Sequence, residues 1–191
     1  MNAMWQMWES KWVPEACEQV IALGKQLPQV EANIGFDETG RSDNEYRRSK
    51  IAWAHPWMED WKDVFSELQF LFHEANKNAF GFDLWQLSEI QFTEYNGGDE
   101  GKYDWHTDLN WVDRRPYHRK LSMVIQLSDS TDYKGGDLEL KPPAMEGPDA
   151  VRLRNRGTAI CFPSLVEHRV TPVTEGKRYS LVAWYEGPKF R

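Results

Sequence analysis

The 191-residue sequence is short of cysteine, of positive charge and of long apolar runs. Its two cysteines, Cys17 and Cys161, stand far apart in apolar surroundings, so they form neither a disulfide framework nor a zinc site built on thiolates. No stretch approaches the roughly 18 apolar residues that a membrane helix needs. The formal net charge of −7 argues against nucleic acid as a partner, because binding to phosphates needs an excess of positive charge.

The start of the sequence, MNAMWQMWES, lacks the basic segment and the apolar run of a signal peptide. We therefore expect a cytoplasmic protein that does not bind a membrane. Hydrophobic residues make up 40% of the chain and aromatic residues 14%, which is enough for a packed core. Since no repeat or interdomain linker is visible, we predict a single domain over residues 1–191, with a helical part at 1–82 and a strand-rich part at 83–191.

Helical patterns dominate the first part. One apolar face follows Pro14 and ends at Pro28, and a second follows Pro56 and ends near Ala79, just before Gly81. Helical spacing also relates several tryptophans, which we expect to be buried in the core: Trp5, Trp8 and Trp12, and then Trp57 and Trp61.

Short alternating segments separated by Gly, Pro or Asn dominate the second part and predict strands. The predicted strands of this part are residues 84–95, 103–106, 120–127, 137–140, 151–153, 158–162, 168–171 and 178–185. One further strand is predicted earlier in the chain, at residues 49–53. Helices followed by some eight strands favour a mainly β sandwich or jelly roll with N-terminal helices on one outer face.

A pair of potential metal ligands, His106 and Asp108, lies at the end of one predicted strand. Side chains two residues apart on a strand point to the same face. With His168, which lies late among the strands, they make up two histidines and one carboxylate, the facial triad of non-haem iron oxygenases. The remaining histidines fit this pattern less well, and we interpret them as structural or solvated: His55, His73 and His118.

Ten residues after His168 the sequence places Arg178, with Ser180 on the same strand face. A guanidinium group can bind a carboxylate through two parallel hydrogen bonds. We therefore interpret Arg178 as a carboxylate-binding residue rather than as a surface ion-pair residue.

Together these residues form a pattern that resembles the Fe(II)/2-oxoglutarate-dependent dioxygenases, and among them the prolyl 4-hydroxylase-like group. The resemblance covers roughly residues 84–186 and consists of Tyr95, His106-x-Asp108, His168, Arg178-x-Ser180 and Trp184. Two further stretches are similar to segments common in that group, RRSKIAW at residues 47–53 and YKGGDLEL at residues 133–140.

The resemblance implies a double-stranded β-helix in which His106, Asp108 and His168 bind Fe(II). It also implies that Arg178, Ser180 and Tyr95 bind 2-oxoglutarate, that O2 is a co-substrate, and that ascorbate is an additional reductant. The implied reaction is hydroxylation coupled to oxidative decarboxylation of 2-oxoglutarate to succinate and CO2. Where many relatives have a second tyrosine, this chain has Gln126, which we keep as a co-substrate residue.

Aromatic and basic residues near the implied metal site are candidates for binding the substrate, which we expect to be a prolyl residue in a peptide or protein. They are Tyr103, Trp105 and Trp184, with Arg47 and Arg48 after the polar loop at residues 40–46. Residues 99–102 and 109–119 are further candidates for loops at the rim of the site.

Two other functions stay open at this point. The same residues could hydroxylate a free amino acid or another small molecule. A jelly-roll module that binds without turnover is the other alternative, although all four key positions, His106, Asp108, His168 and Arg178, are filled. Nothing in the sequence indicates an oligomeric state.

Overall fold

The computed structural model describes residues 3–32, 45–109, 111–112 and 115–191. Strands predominate, and three α-helices accompany them. The helices are α1 (Pro14–Gln26), α2 (Lys62–Ala75) and the short α3 (Ala150–Leu153). The strands are β1 (Gln6–Trp8), β2 (Val30–Glu31), β3 (Arg47–Arg48), β4 (Lys50–Ala54), β5 (Gln86–Asn96), β6 (Lys102–His106), β7 (Tyr117–Gln126), β8 (Tyr133–Gly135), β9 (Leu138–Lys141), β10 (Ala159–Pro163), β11 (Glu167–Val170) and β12 (Val173–Pro188).

The strands form two antiparallel sheets, which we call the major and the minor sheet. The major sheet has the order β1-β10-β7-β12-β5-β4-β2, with β8 also paired to β12. The minor sheet has the order β3-β6-β11-β9. This two-sheet arrangement confirms the predicted mainly β jelly roll with N-terminal helices.

The outer face of the major sheet is covered by α1 and α2. Apolar residues at helical spacing, such as Val20 of α1 and Phe65 and Phe72 of α2, join the buried residues of β5 and β7 in one core. Each such side chain contributes about 1.5–3 kcal/mol to stability when it is fully buried. The close approach of α1 needs Gly24, because a Cβ atom there would lie 2.4 Å from the ring of Phe92.

The inner face of the major sheet meets the minor sheet. Along β12 the side chains alternate strictly, as the pleat of a strand requires. Leu181 and Ala183 belong to the outer core, whereas Arg178, Ser180 and Val182 line a cavity between the two sheets. The fold therefore uses one strand both to bind the helices and to build the wall of a cavity.

Several local predictions are wrong. Trp5, Trp8 and Trp12 do not share a helix, because residues 6–8 form β1, which adds to the edge of the major sheet through pairing of Met7 with Ile160. Residues 151–153 form α3 rather than a strand, since the side chain of Asp149 accepts a hydrogen bond from the Val151 N–H at 2.8 Å and caps that helix.

The second predicted helix begins later than Pro56. A 3₁₀ turn at Glu59–Trp61 precedes α2, and a π-helical turn at Asn76–Phe80 follows it. This turn ends at Gly81, whose φ of 70° is in the left-handed region, so the expected stop is confirmed. Trp57 therefore lies outside the helix and is 76% exposed, stacked on His55, so its predicted burial is wrong. None of the helices in the described residues has the length and hydropathy that a membrane-crossing helix requires.

Candidate functional site

The predicted metal ligands converge between the sheets. His106 ends β6, and His168 lies directly opposite it on β11 in the strand register. Asp108 follows β6 and is held in place because its backbone N–H and that of Leu109 both donate to the Ser164 carbonyl oxygen, at 2.9 and 3.0 Å. Possible ligand atoms of the three side chains lie within 4.8 Å of one another.

Backbone hydrogen bonds orient both imidazole rings. The Nδ1 atom of His106 lies 2.7 Å from the Asp104 carbonyl oxygen, and Nδ1 of His168 lies 3.0 Å from the Val166 carbonyl oxygen. Because a carbonyl oxygen can only accept, Nδ1 carries the proton in each ring. In a neutral ring Nε2 then has a lone pair, and the two Nε2 atoms lie 3.8 and 3.5 Å from the Asp108 carboxylate oxygens.

Two buried serines support the Asp108 carboxylate. The Ser122 hydroxyl donates to Oδ2 of Asp108 at 2.7 Å, and the Ser122 and Ser164 hydroxyl oxygens are 2.9 Å apart. Partners of this kind fix the direction of a ligand carboxylate. Ser122 was not predicted, although a serine between apolar residues of a buried strand was a visible signal.

The protonation states suit a divalent metal ion. Burial lowers the pKa of His106, and the adjacent His168 lowers it further. Burial alone would raise the pKa of Asp108, but the neighbouring His168, His106 and Arg119 together with the Ser122 hydrogen bond bring it below its ordinary value. Near neutral pH His106 is thus neutral and Asp108 is ionised, which are the forms of these side chains that bind metal. Two nitrogen donors and one oxygen donor without thiolate fit Fe(II).

The triad opens into a cavity of about 600 Å³ between the sheets, a volume within the usual range for small-molecule sites. The inward side chains of β12 form one wall. Arg178 stands at one end of this wall and Trp184 lies six residues further along the strand, about 20 Å away. The metal ligands lie nearer to Trp184, since Ser122, which binds Asp108, pairs with Trp184 across the β7–β12 ladder.

Arg178 is buried with unused hydrogen-bonding capacity. It is 2% exposed, and its guanidinium lies 5.5 Å from the ring centroid of Tyr95. Within the described residues its Nη1 atom has no hydrogen-bond partner. A buried unpaired donor on a charged group destabilises a protein, so this atom is suited to bind an anionic ligand. Ser180 also lines the cavity.

Gln126 faces Ser180 in the register of β7 and β12 but does not line the cavity. Its Nε2 donates to the Ser128 carbonyl oxygen and to the Tyr133 hydroxyl, each at 3.0 Å. Both amide protons are therefore already used, whereas the buried Oε1 atom of Gln126 has no hydrogen-bond partner among the described residues.

Of the residues predicted to bind substrate, Tyr103, Trp184 and Arg47 line the cavity. The Tyr103 ring stacks on the His106 ring, with centroids 3.5 Å apart. The Arg47 guanidinium lies 4.2 Å from the centroid of the Tyr103 ring. Trp184 contacts Trp53 at a centroid distance of 6.0 Å. The Tyr103 ring thus contacts a residue of the triad, and Trp53 and Trp184 line the same cavity.

Arg48 and Trp105 are placed elsewhere, because alternate residues of a strand point to opposite faces. Arg48 lies 3.4 Å from Glu100 and borders a separate cleft. The Trp105 ring lies beneath Lys141 and Arg169, away from the cavity. Of the predicted loop at residues 40–46, residues 40–44 lie outside the described residues, as do 110, 113 and 114 of the predicted rim at 109–119.

Arg119, the last residue of the predicted rim at 109–119, also lines the cavity, and so does Glu89, which was not predicted. The Arg119 guanidinium lies 3.7 Å from the Trp184 ring and 3.7 Å from the Glu89 carboxylate. Arg119 reaches this face because the register of β7 and β12 shifts between Tyr185 and Glu186. Nothing in the local sequence pattern signals such a bulge.

Known proteins match both the sequence and the fold. A model of the 2OG-Fe(II) oxygenase superfamily matches residues 90–186. A PKHD-type hydroxylase of Teredinibacter turnerae is 34% identical over 99 residues, which are 50% of this chain and 42% of that protein. A PKHD-type hydroxylase of Synechococcus sp. (strain JA-2-3B'a(2-13)) is 38% identical over 86 residues, which are 44% and 37% of the two chains. The chain thus spans less than half the length of these curated relatives.

Two solved structures show the same fold. The prolyl-4-hydroxylase of Pseudomonas putida has a TM-score of 0.71 at 20% identity and covers 97% of this chain and 94% of its own. A prolyl hydroxylase from Trichoplax adhaerens has a TM-score of 0.73 at 20% identity, covering 95% and 83%. The superfamily match spans half of the chain and contains the His–Asp–His triad, Arg178 and most of the cavity wall. The chain therefore belongs to the 2OG-Fe(II) oxygenase superfamily.

Proposed function

We propose that this chain is an Fe(II)/2-oxoglutarate-dependent dioxygenase that hydroxylates a prolyl residue in a peptide or protein. One observation carries the proposal: a His–Asp–His triad and a buried arginine with an unpaired donor line the same cavity. With Fe(II), 2-oxoglutarate and O2 bound, the site would supply oxidative decarboxylation to succinate and CO2 coupled to hydroxylation.

The metal would be held by His106, Asp108 and His168. The carbonyl oxygens that fix the two rings keep both Nε2 lone pairs directed toward the shared centre. Ser122 holds the carboxylate from behind. These contacts form a site that needs little rearrangement to receive a metal ion.

The co-substrate would lie along β12, with its distal carboxylate on Arg178 and with Ser180 and Tyr95 beside it. Burial raises the pKa of Tyr95, which keeps its phenol protonated as a hydrogen-bond donor. The buried surroundings strengthen the ion pair with Arg178 and exclude bulk water. Gln126 would act indirectly, through its hydrogen bond to the Tyr133 hydroxyl.

The substrate would enter from the side of Tyr103, Trp184 and Arg47, which line the cavity beyond the metal ligands. Flat aromatic rings suit packing against a proline ring. A peptide substrate is supported by analogy, since the Trichoplax adhaerens neighbour was solved with a peptide fragment of hypoxia inducible factor. Arg48 and Trp105 stay candidates for contact with more distant parts of a peptide. A cytoplasmic location and the use of ascorbate stay predictions.

Hydroxylation of a free amino acid is a second candidate. It is favoured by Arg47, a buried cation in the cavity wall whose hydrogen-bond acceptors among the described residues are both neutral. The α-carboxylate of an amino acid would suit such a residue.

The test is anaerobic addition of Fe(II) and then 2-oxoglutarate to metal-free protein, with the visible absorption recorded. We expect a weak metal-to-ligand charge-transfer band in the wild type that is lost in His168→Ala and Arg178→Ala. His55→Ala is the matched control, because His55 stacks on exposed Trp57 away from the cavity. A folded wild-type protein that gives no band would refute the proposed function.

A further inference from the structure

Arg47 is a buried cation that has no anionic partner within the part of the chain that the structure describes. It is 8% exposed, and its Nε and Nη2 atoms donate to Ser49 Oγ at 3.0 Å and to Gln91 Oε1 at 2.9 Å. Both acceptors are neutral, and among the described residues no carboxylate oxygen lies within 4.0 Å of this guanidinium. Buried arginines are normally paired with an acid, so the positive charge of Arg47 lacks the negative charge that would normally compensate it.

Arg47 and Arg178 contact different residues of β5. Arg47 binds Gln91, which lies four residues along β5 from Tyr95, the neighbour of Arg178. Four residues of a strand span about 13 Å. In the proposed function Arg178 takes the distal carboxylate of 2-oxoglutarate, so Arg47 is available to a different anion.

Arg47 is also close to the metal ligands. Its guanidinium lies 4.2 Å from the Tyr103 ring centroid, and that centroid is 3.5 Å from the centroid of His106. The guanidinium is therefore no more than about 8 Å from the imidazole, a distance spanned by about two residues of extended chain at 3.3 Å each. A substrate whose anionic group binds Arg47 would therefore place a neighbouring carbon atom close to the metal site.

The charges of the cavity agree with an anionic substrate. The chain as a whole carries −7, yet the described residues that line this cavity include more arginines than acids. Two of the acids are already engaged, since Asp108 belongs to the metal triad and Glu89 lies 3.7 Å from Arg119. The charged lining residues are Arg47, Arg115, Arg119 and Arg178, with Glu31, Glu89 and Asp108.

We propose that Arg47 binds a carboxylate of the substrate and so selects acidic substrates. This inference rests on the proposed function and names the class of its substrate. In a peptide the carboxylate belongs to an Asp or Glu within two residues of the hydroxylated residue. In a free amino acid it is the α-carboxylate.

The first experiment compares the wild type with Arg47→Gln, each loaded with Fe(II) and 2-oxoglutarate. The probes are prolyl octapeptides with Asp or Glu within two positions of the proline, the same peptides with Asn or Gln, L-proline and L-prolinamide. Mass spectrometry measures oxygen incorporation. The matched control is Arg152→Gln, which removes the same charge from an exposed ion pair with Glu9.

We expect the wild type to process acidic peptides with a kcat/KM at least about tenfold above that of their amide counterparts, as loss of a charged hydrogen bond implies. Arg47→Gln should reduce this preference to less than about twofold, and Arg152→Gln should keep it. A preference for L-proline over L-prolinamide with the same dependence on Arg47 would support the proposal and assign the carboxylate to the amino acid. Equal rates in the wild type, or an acid preference that survives in Arg47→Gln, would overturn it.

A second experiment needs no substrate and decides the matter if none of the probes is hydroxylated. It measures the melting temperature of the metal-free wild type, Arg47→Gln and Arg152→Gln. If Arg47 is kept for a ligand, its replacement should leave the melting temperature unchanged or raise it, because an unpaired buried charge is removed. If Arg47 is instead structural, the loss of its bonds to Ser49 and Gln91 should lower the melting temperature of Arg47→Gln alone, and that result would overturn the proposal.

The two proposals fail in different ways. Absence of the 2-oxoglutarate charge-transfer band in the wild type refutes the dioxygenase function itself. A normal band in the wild type and in Arg47→Gln, combined with indifference to acidic probes, refutes only the role of Arg47.

Discussion

Replacement of Ser122 by alanine should weaken metal binding without touching a metal ligand. The Ser122 hydroxyl donates to the Asp108 carboxylate at 2.7 Å in fully buried surroundings. In Ser122→Ala the carboxylate keeps its position in the chain but loses the contact that fixes its direction. The metal ion must then order the carboxylate itself, at a cost in binding free energy.

The size of this effect follows from the bond that is lost. A hydrogen bond to a charged group contributes about 1.5–3 kcal/mol, and each 1.4 kcal/mol corresponds to about a factor of ten in affinity. We therefore expect the Kd for Fe(II) to rise by about 10- to 100-fold in Ser122→Ala, which matches the usual effect of removing a partner of a ligand. Ser164→Ala should have a smaller effect, since its hydroxyl reaches the carboxylate only through Ser122.

The assay is anaerobic calorimetric titration of metal-free protein with Fe(II), repeated with Mn(II) as a redox-stable probe. Ser88→Ala is the matched control, because Ser88 donates to the carboxylate of Glu186 at 3.0 Å, which is not part of the triad. Ser88→Ala should bind metal like the wild type. A Kd for Ser122→Ala within about twofold of the wild type would show that the carboxylate is held by the backbone alone, and our reasoning about Ser122 would be wrong.

Three further predictions concern the co-substrate end and the sheet. Arg178→Gln should raise the Kd for 2-oxoglutarate, measured by the charge-transfer band, by about 10- to 100-fold. The affinity for the metal should stay unchanged. An unchanged Kd for 2-oxoglutarate would contradict the role of Arg178. Gly136→Ala should lower the free energy of unfolding by about 1–3 kcal/mol in urea, because Gly136 has a φ of 65° and its Cβ would lie 2.7 Å from Val173; an unaltered urea midpoint would contradict this. Burial and the nearby Glu94 raise the pKa of Tyr179 to about 12, so its contribution to stability should be complete below about pH 10 and be lost as the pH rises through about 12. Urea midpoints between pH 9 and 12 should fall less steeply in Tyr179→Phe, and identical slopes would count against the shift.

The convergence of His106, Asp108 and His168 could be predicted from the sequence because its signal is local. His106 and Asp108 are two residues apart, and the third residue, His168, comes from the strand that pairs with β6. Arg178 and Ser180 follow the alternation of a single long strand. Residues two apart share a face in any strand, whatever its partners, because this depends only on the pleat.

The substrate end could be predicted only in part, because the facing of a short strand depends on its partners. Arg47 and Arg48 are adjacent in β3, and only pairing with β6 determines which of them points inward. The register shift between His168 and Val170 lets both Tyr103 and His106 face the cavity. Likewise, only the shift beside Glu186 brings Arg119 into the site.

The same kind of limit explains the errors in the first part of the chain. Trp5 and Trp8 have helical spacing, but residues 6–8 form hydrogen bonds with the edge of β10 instead. Tertiary pairing overrode the local pattern there, as it commonly does in short segments. The helix that starts at Pro14 agrees with its prediction because proline at the first turn and an apolar face act together.

The place of β12 in the major sheet has a consequence for how the protein is made. β12 inserts between β5 and β7, although roughly 80 and 50 residues of chain separate it from them. During synthesis on the ribosome, β5 and β7 are therefore complete while the strand that joins them is still missing. Their unpaired edges are open to wrong partners over that interval. We expect the cavity wall that carries Arg178 to form only after β12 has joined β5 and β7.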